Sequence, residues 1–184
     1  MNESSARAVR LVVLDVDGVM TDGGLYVGTA GQDNAAELKR FDIKDQLGVK
    51  MMVWSGLEVA MVSGRPSEAS RLRAEELGIA FHEAPGGFKL EVLDRLHVEK
   101  GVGWTETACL CDDLADLPIL RRAGLAVAVA DAVPEVRAAA HWTTSRPGGH
   151  GAVREFGETL LRARGEWNAM VERYVKEREQ GSPA

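Results

Sequence analysis

Cysteines, aromatic side chains and long apolar runs are all scarce in this sequence. Of the 184 residues only 2 are cysteines, and aromatic residues make up 5%. Cys109 and Cys111 lie two positions apart, so a strand would point both to one face, which is a poor geometry for a disulfide. A zinc site would need two further ligands. We therefore interpret both as buried core residues of a protein in a reducing compartment.

Signals for membranes, nucleic acids and nucleotides are also missing. Residues 1–10 contain no apolar signal-like stretch, and no window has the length of a membrane span. The 22 basic and 28 acidic residues give a net charge of −6, which disfavours nucleic acid and anionic membranes as main partners. Neither a P-loop nor a GxGxxG follows the first apolar run, and the histidines lack metal-ligand spacing. We expect a cytoplasmic protein with no nucleic-acid or membrane partner.

Short apolar runs rich in β-formers alternate with amphipathic segments along the chain. This alternation predicts an α/β fold with a Rossmann-like parallel sheet and helices on both faces. The predicted strands cover residues 11–15, 57–63, 79–82, 107–112, 125–130 and 141–144. The predicted helices cover residues 45–54, 67–77, 88–96 and 114–123, with a long last helix from about 152 to 179.

One segment interrupts this alternation. Glycine-rich and polar residues between 23 and 34 precede residues 36–41, which predicts an inserted β-hairpin flap over about 23–41. The flap would lie over the carboxyl end of the sheet, where open α/β folds bind ligands. The run Gly148-Gly149-His150-Gly151 predicts a flexible break before the last helix. We expect a disordered segment at 1–8, a domain at 9–165 and a C-terminal helical extension with a tail at 166–184.

Polar residues follow several predicted strands, more of them than a structural sheet needs. Asp15 and Asp17 follow the first strand, Ser63 ends the second, Asp112 follows the fourth and Lys89 begins a helix. The carboxyl ends of parallel strands share one edge, so these groups should converge. Clustered carboxylates need a cation to stay ionised, and a few oxygen ligands suit Mg²⁺. The set predicts phosphoryl transfer with an aspartate nucleophile and a second carboxyl as general acid and base.

The order of these motifs resembles a known superfamily. Asp15-Val16-Asp17-Gly18, Ser63-Gly64-Arg65, Lys89 and Asp112-Asp113 resemble the motif series of the haloacid dehalogenase (HAD) phosphatases, over residues 11 to about 155. The short hairpin, with no separate cap domain, resembles the capless branch. Within that branch, residues 41–45 and 148–155 resemble the phosphatases of 3-deoxy-D-manno-octulosonate (KDO) 8-phosphate, which serve lipopolysaccharide biosynthesis.

The resemblance implies a role for each acidic residue. Asp15 would be the nucleophile and a metal ligand. Asp17 would be the general acid and base and would give its backbone carbonyl to the metal, and Asp112 would be the third protein ligand of Mg²⁺. Asp113 and Asp116 would orient metal-bound water and the lysine. From its sequence alone, Asp113 is equally suited to capping a helix.

The resemblance also implies the ligands of the substrate and the assembly. Ser63, Gly64 and Lys89 would hold the phosphate. The candidates for contacting the sugar acid are Lys44, Arg65 and Arg154. Arg154 would act in its own or in a neighbouring subunit, and each of the three could instead be a surface charge. The family forms homotetramers in which the hairpin and C-terminal segment of one subunit cover the next subunit's site. The missing cap domain gives an independent reason, because something must exclude water.

Some positions depart from the family pattern. Cys111 and Gln46 stand where glycine is usual, and Lys44 stands where arginine is usual. The substrate therefore stays open between KDO 8-phosphate, which Arg65 favours, and the 9-phosphate of a nine-carbon sugar acid. Two non-enzymatic alternatives are a receiver domain and a structural oligomer. In a receiver the acidic pair would come first along the chain, and the intact set of acids, serine and lysine disfavours an inactive oligomer.

Overall fold

A computed structural model describes residues 1–29 and 35–181 of the chain. Its strands in chain order are β1 Leu11–Leu14, β2 Tyr26–Thr29, β3 Ala35–Leu38, β4 Glu58–Ser63, β5 Ala80–Glu83, β6 Thr107–Cys111, β7 Leu125–Ala128 and β8 Trp142–Thr143. Its helices are α1 Glu3–Ala8, α2 Ile43–Trp54, α3 Glu68–Leu77, α4 Lys89–Lys100, α5 Leu117–Leu120, α6 Pro134–Ala139, α7 Ala152–Arg164 and α8 Trp167–Glu179.

Six of these strands form a single parallel sheet in the order β5-β4-β1-β6-β7-β8. Strand β1 occupies the centre because all four of its residues are apolar and buried, as a strand covered on both faces requires. Leu14 at its end pairs with Met61 of β4 and with Leu110 of β6. The chain segments that follow β1, β4 and β6 therefore leave the sheet side by side, and the predicted α/β fold is confirmed.

The helices pack in two groups around this sheet. In the first, α7 contacts both α1 and α2, and in the second, α5 contacts both α4 and α6. The α2–α7 contact is close because Gly48 has no side chain: a Cβ there would lie 2.9 Å from the Cα of Arg154. None of the helices in residues 1–29 and 35–181 combines the length and apolarity needed to cross a bilayer. Cys109 and Cys111 are free, buried thiols on β6, as expected.

The inserted hairpin is present as β2 and β3, which pair antiparallel with Tyr26 opposite Leu38. Its base is closed by an antiparallel bridge between Thr21 and Phe41. The centre of the hairpin, residues 30–34, lies outside the described residues, as do residues 182–184 of the expected tail. The hairpin leaves several large apolar side chains exposed, among them Val27 (72% exposed) and Leu38 (66%).

Both ends of the chain differ from the sequence-based expectation. Residues 1–8, expected to be disordered, contain α1, because the Asn2 side chain caps it and Ala6 is fully buried. Arg164 then donates to the carbonyls of Ala6 and Val9, at 3.1 and 2.9 Å. The expected single last helix is two helices, because Gly165 adopts a left-handed conformation (φ +79°) that ends α7.

Candidate active site

The loop that follows β1 contains a glycine in a backbone conformation that other residues rarely adopt. Gly18 has φ +96°, and a Cβ at this position would lie 2.0 Å from Oδ2 of Asp112. The buried side chain of Thr21 ties the loop together. Its Oγ1 donates to the Val16 carbonyl at 3.2 Å and accepts from Gly18 N at 3.3 Å. The first aspartates of the chain are therefore held against the segment that follows β6.

A second loop, residues 147–151, packs directly on this first loop. A Cβ on Gly148 would lie 1.7 Å from the Gly18 carbonyl oxygen, and Gly149 N donates to the Val19 carbonyl at 3.0 Å. Asp131 Oδ1 accepts from Gly148 N at 2.9 Å. The glycine run expected to be a flexible break is instead a close-packed support for the aspartate loop.

Three carboxylates and one lysine converge at the carboxyl edge of the sheet. Asp15, Asp112 and Asp116 each offer an oxygen atom, and these atoms all lie within 4.8 Å of one another. Lys89 Nζ contacts Asp15 Oδ1 and lies 2.5 Å from Asp116 Oδ1. Asp15, Asp116 and Lys89 are buried, and Asp112 is half-buried. The predicted convergence of Asp15, Asp112 and Lys89 is present, and Asp116 joins them.

Crowding and burial change the ionisation of these groups. Burial raises the pKa of Asp15 to about 6, against the opposing effect of Lys89. The pKa of Asp112 rises to about 8, first through burial and then through the charges of Asp15 and Asp116. Burial alone would lower the pKa of Lys89, but Asp15 and Asp116 raise it, so the ammonium stays charged. One ammonium does not neutralise three carboxylates.

This charge imbalance is the kind that a divalent cation corrects. The three oxygen donors are hard ligands in small number, which suits Mg²⁺ and leaves room for water or phosphate oxygens. A bound cation would return Asp15 and Asp112 to the ionised form at neutral pH. Lys89 contacts one oxygen of Asp15 and one of Asp116, so the choice of Asp15 and Asp112 as the side-chain ligands stays a prediction from the family resemblance. The donor set therefore fits Mg²⁺, while the predicted carbonyl ligand of Asp17 stays a prediction.

The phosphate-binding candidates lie on two loops that face each other. Ser63 is fully buried at the end of β4, and its Oγ donates to the Arg65 carbonyl at 2.9 Å. A Cβ on Gly64 would lie 3.5 Å from the Cα of Gly87, which stands two residues before Lys89. The two loops thus approach closely beside the lysine. Their roles in phosphate binding remain predictions that this proximity supports.

Asp17 lies apart from the carboxylate cluster and faces the flap. Lys39, which follows β3, places its Nζ 2.6 Å from Asp17 Oδ1, and its side chain is only 1% exposed. Glu37, two residues earlier on the same face, contacts Arg65. Burial would raise the pKa of Glu37, but a hydrogen bond from Ser67 and the charges of Lys39 and Arg65 lower it.

Sequence reasoning missed Lys39 and Glu37. The only available signal was their spacing of two residues on a predicted strand of the flap, which places both on one face. Arg65, expected as a sugar-acid contact, contacts Glu37, and its role in substrate binding stays a prediction. Asp113 is exposed and accepts a hydrogen bond from Leu114 N at 2.7 Å. It caps the short 3-10 turn over residues 114–116, and its predicted role in orienting metal-bound water stays a prediction.

The two other residues predicted to contact the sugar acid lie together in a separate groove. Lys44 and Arg154 line an open groove of about 660 Å³ with Arg146 and Arg162, beside α2 and α7. Arg154 lies 3.8 Å from Glu158 and stacks over Trp167 at 5.3 Å. Within residues 1–29 and 35–181 no ion pair joins these cations to Asp15, Asp112 or Asp116. Their role in substrate binding remains a prediction.

Comparison with known proteins identifies the family. Residues 83–155 match the haloacid dehalogenase-like hydrolases. The 3-deoxy-D-manno-octulosonate 8-phosphate phosphatase KdsC of Salmonella typhi is 38% identical over 162 residues, covering 88% of this chain and 84% of that protein. The chain belongs to the KDO 8-phosphate phosphatase family. The resemblance drawn from the motif order is therefore confirmed.

Solved structures of KDO 8-phosphate phosphatases have the same fold as this member of the family. The enzyme from Yersinia pestis superimposes with a TM-score of 0.84 at 36% identity, over 90% of this chain and 88% of that chain. The enzyme from Moraxella catarrhalis, solved with magnesium, phosphate and KDO, gives 0.85 at 33% identity, over 94% and 97% of the two chains. The likeness covers 88% or more of each chain, and residues 1–29 and 35–181 form no separate cap domain.

Proposed function

We propose that this protein is a Mg²⁺-dependent phosphatase that hydrolyses KDO 8-phosphate to KDO and inorganic phosphate. The convergence of Asp15, Asp112 and Lys89 at the carboxyl edge of the sheet carries this proposal, because it joins a nucleophile to a cation site. The relative from Moraxella catarrhalis, in complex with magnesium, phosphate and KDO, supports the metal and the sugar. The alternative of a nine-carbon sugar acid is not favoured.

The reaction assigns a separate task to each of the two aspartates. The carboxylate of Asp15 attacks phosphorus in line, the bond to the sugar oxygen breaks, and an aspartyl-phosphate forms on Asp15. Asp17 gives its proton to the departing sugar oxygen. It then takes a proton from the water that hydrolyses the aspartyl-phosphate, which releases phosphate and restores Asp15.

The surrounding groups stabilise charge during both steps. Lys89 holds Asp15 in place. We assign the binding of the phosphate oxygens to the hydroxyl of Ser63 and the backbone N–H groups after Asp17, as the family resemblance implies. Asp116 Oδ1 lies 2.5 Å from Lys89 Nζ and orients the lysine ammonium. When bound, Mg²⁺ neutralises the carboxylates and the phosphate oxygens as charge shifts.

Phosphate release from KDO 8-phosphate by wild type, Asp15→Asn and Asp94→Asn tests the proposal, with Mg²⁺ and with EDTA. Asp94 is an exposed aspartate on α4 and serves as the matched control. We expect wild type and Asp94→Asn to release phosphate only with Mg²⁺. Asp15→Asn should lose at least about 10³-fold in kcat, because an amide is a far weaker nucleophile. Turnover near the wild-type rate by Asp15→Asn would contradict the nucleophile assignment.

A substrate comparison separates the two sugar classes. We expect a kcat/KM for KDO 8-phosphate at least about 10-fold above that for the 9-phosphate of a nine-carbon sugar acid, a difference of about 1.4 kcal/mol in transition-state binding. Equal values, or the reverse order, would contradict the eight-carbon assignment and leave the phosphatase chemistry standing.

The assembly is also part of the proposal: we infer a homotetramer in which the hairpin contacts a neighbouring subunit. The exposed Val27 and Leu38 support this, because apolar residues on a two-stranded flap gain from burial against another chain. The C-terminal part of the proposed cover has less support, because Trp167 of α8 is buried in its own chain. Free buried thiols at Cys109 and Cys111 support a cytoplasmic location.

Light scattering tests the assembly. We expect a particle of four times the 19.9 kDa chain mass, and smaller species for Val27→Glu. Val98→Glu is the matched control, since Val98 is 85% exposed on α4, away from the hairpin. A monomeric wild-type protein would contradict the tetramer.

A further inference from the structure

Lys39 has an almost fully buried side chain, and its charged end contacts Asp17 from the flap. Its side chain is 1% exposed, and Nζ lies 2.6 Å from Asp17 Oδ1. A lysine at the base of a surface hairpin ordinarily keeps its ammonium in water, because burying a charge is costly unless the charge is paired. The pairing with Asp17 gives this ammonium a defined place, and that place is beside the group assigned to proton transfer.

Other contacts fix the direction of this ammonium. Lys39 Nζ donates to Ser70 Oγ at 3.1 Å and lies 3.7 Å from Glu37 Oε1. Ser70 in turn donates to Ser67 at 2.9 Å, and Ser67 donates to Glu37 at 2.5 Å. The network joins β3 to the first turn of α3. The ammonium therefore has three anchors, and only one of them is the carboxylate of Asp17.

Such a contact leaves one oxygen of Asp17 free for the reaction. When Lys39 donates to Oδ1, the proton that Asp17 delivers must sit on Oδ2, so the contact selects one oxygen and orients it. A fixed positive charge in a buried place also favours the negative charge that develops on the departing oxygen. Lys89 makes the corresponding contact with Asp15, so each of the two aspartates has its own lysine.

We propose that Lys39 is a positioning residue for proton transfer by Asp17, which makes the flap part of the catalytic apparatus of its own chain. This inference rests on the proposed function, in which Asp17 protonates the sugar oxygen. It adds a second task to the hairpin besides contact with a neighbouring subunit.

The leaving group provides a readout that a merely structural role would not change. The sugar oxygen of KDO 8-phosphate needs a proton to depart, whereas 4-nitrophenolate and acetate depart without one. Because Asp17 also acts in the hydrolysis of the aspartyl-phosphate, which is the same for every substrate, the test measures the single-turnover rate of leaving-group release. The substrates are KDO 8-phosphate, 4-nitrophenyl phosphate and acetyl phosphate, and the proteins are wild type, Lys39→Met, Asp17→Asn and the control Lys100→Met. Lys100 pairs with exposed Glu58 away from the site.

We expect Lys39→Met to slow leaving-group release from KDO 8-phosphate about 10- to 100-fold, part of the effect of a general acid, and release from the other two substrates less than about 3-fold. Asp17→Asn should show the same selectivity more strongly, and Lys39→Met should add little in the Asp17→Asn background. Equal losses on all three substrates, or no loss on any, would overturn the proposal.

The controls separate this inference from the proposed function. Wild type without Mg²⁺-dependent release from KDO 8-phosphate would contradict the function itself. If Asp17→Asn slows mainly the reaction of KDO 8-phosphate while Lys39→Met slows all three substrates equally, only the role of Lys39 is overturned. If Lys39→Met fails to fold, judged by circular dichroism, Ser70→Ala removes only one anchor of the ammonium. That variant should show the same selectivity at about 3- to 10-fold, and an unselective Ser70→Ala would then overturn the proposal.

Discussion

The two sides of the active site are held in different ways. On the carboxylate side, Asp15, Asp116 and Lys89 are buried and attached to elements of the central sheet and its helices. On the flap side, Asp17 is 33% exposed and Glu37 is 25% exposed, and both contact a lysine that follows a two-stranded hairpin. An isolated two-stranded hairpin has marginal stability by itself, so the flap side depends on its contacts with the body.

Because of this difference, we expect substitutions on the carboxylate side to change stability and those on the flap side to change mainly the reaction rate. Removing a charge from the carboxylate side leaves buried charges without partners, which costs both folding free energy and activity. Removing the charge of Lys39 from the flap side leaves Asp17 and Glu37, which water can reach, so the cost should appear mainly in kinetics. The variants below examine that separation, from the largest expected effect to the smallest.

Lys89→Met should have the largest effect on stability. It leaves Asp15 and Asp116 as buried carboxylates without their shared cation, and we expect a loss of about 3–5 kcal/mol in the free energy of unfolding. Urea unfolding in EDTA measures this loss. Lys100→Met, which removes an exposed pair, should stay within about 0.5 kcal/mol of wild type. A loss below about 1 kcal/mol for Lys89→Met would contradict the expected difference in stability between the two sides of the active site.

Asp112→Asn should stabilise the metal-free protein and abolish its response to Mg²⁺. The folded pKa of Asp112 is raised from 3.8 to about 8, so its contribution to stability is present below about pH 4 and lost as pH rises through 8. The amide avoids that loss. We expect a gain of roughly 1 kcal/mol at pH 8.5 in EDTA, or about 2–4 °C in Tm, that shrinks towards pH 5.

Thermal unfolding in EDTA and in Mg²⁺, each at several pH values, checks this expectation. Mg²⁺ should raise the Tm of wild type and leave that of Asp112→Asn unchanged, because binding to the folded state alone stabilises it. A lower metal-free Tm for the variant at pH 8.5 would show that Asp112 is not under repulsion.

Glu37→Gln should have the smallest effect on stability. Glu37 is held below its ordinary pKa, so its contribution is present above about pH 4.5 and lost as pH falls through the lowered folded value. At pH 7 we expect a loss below about 1 kcal/mol, since the pairs with Lys39 and Arg65 are partly exposed. The urea midpoint measures it, with kcat on KDO 8-phosphate reduced about 2- to 5-fold. A loss above about 2 kcal/mol would place the flap among the stabilising elements.

Topology explains which parts of the site could be predicted from sequence. Asp15, Ser63 and Asp112 lie at or just after the ends of strands that are clearly apolar in the sequence. Because these strands are parallel, their ends meet at one edge of the sheet. Lys39 could not be assigned in this way, because its contact with Asp17 depends on how the hairpin lies against α3. Lys44 and Arg154 were assigned through resemblance, and the structure places them in a separate groove.

Chain ends and helix breaks were harder to predict because single residues decide them. The helix α1 forms because Asn2 caps it and Arg164 binds its last carbonyls, and neither contact leaves a periodic signal. Gly165 could be tolerated inside a helix at a modest cost, and only its left-handed conformation here makes it a break. The alternation of elements therefore predicts the sheet better than it predicts the termini.

The glycine contacts between the first loop and residues 147–151 have a consequence for the order of protein synthesis. Asp15 leaves the ribosome early, but the segment that presses on its loop emerges more than 130 residues later. A nascent chain that ends before Gly148 would carry Asp15, Asp17, Ser63, Lys89 and Asp112 and still lack the support that contacts Gly18 and Val19. We therefore expect the aspartate loop to reach its final geometry only after residues 147–151 have been synthesised.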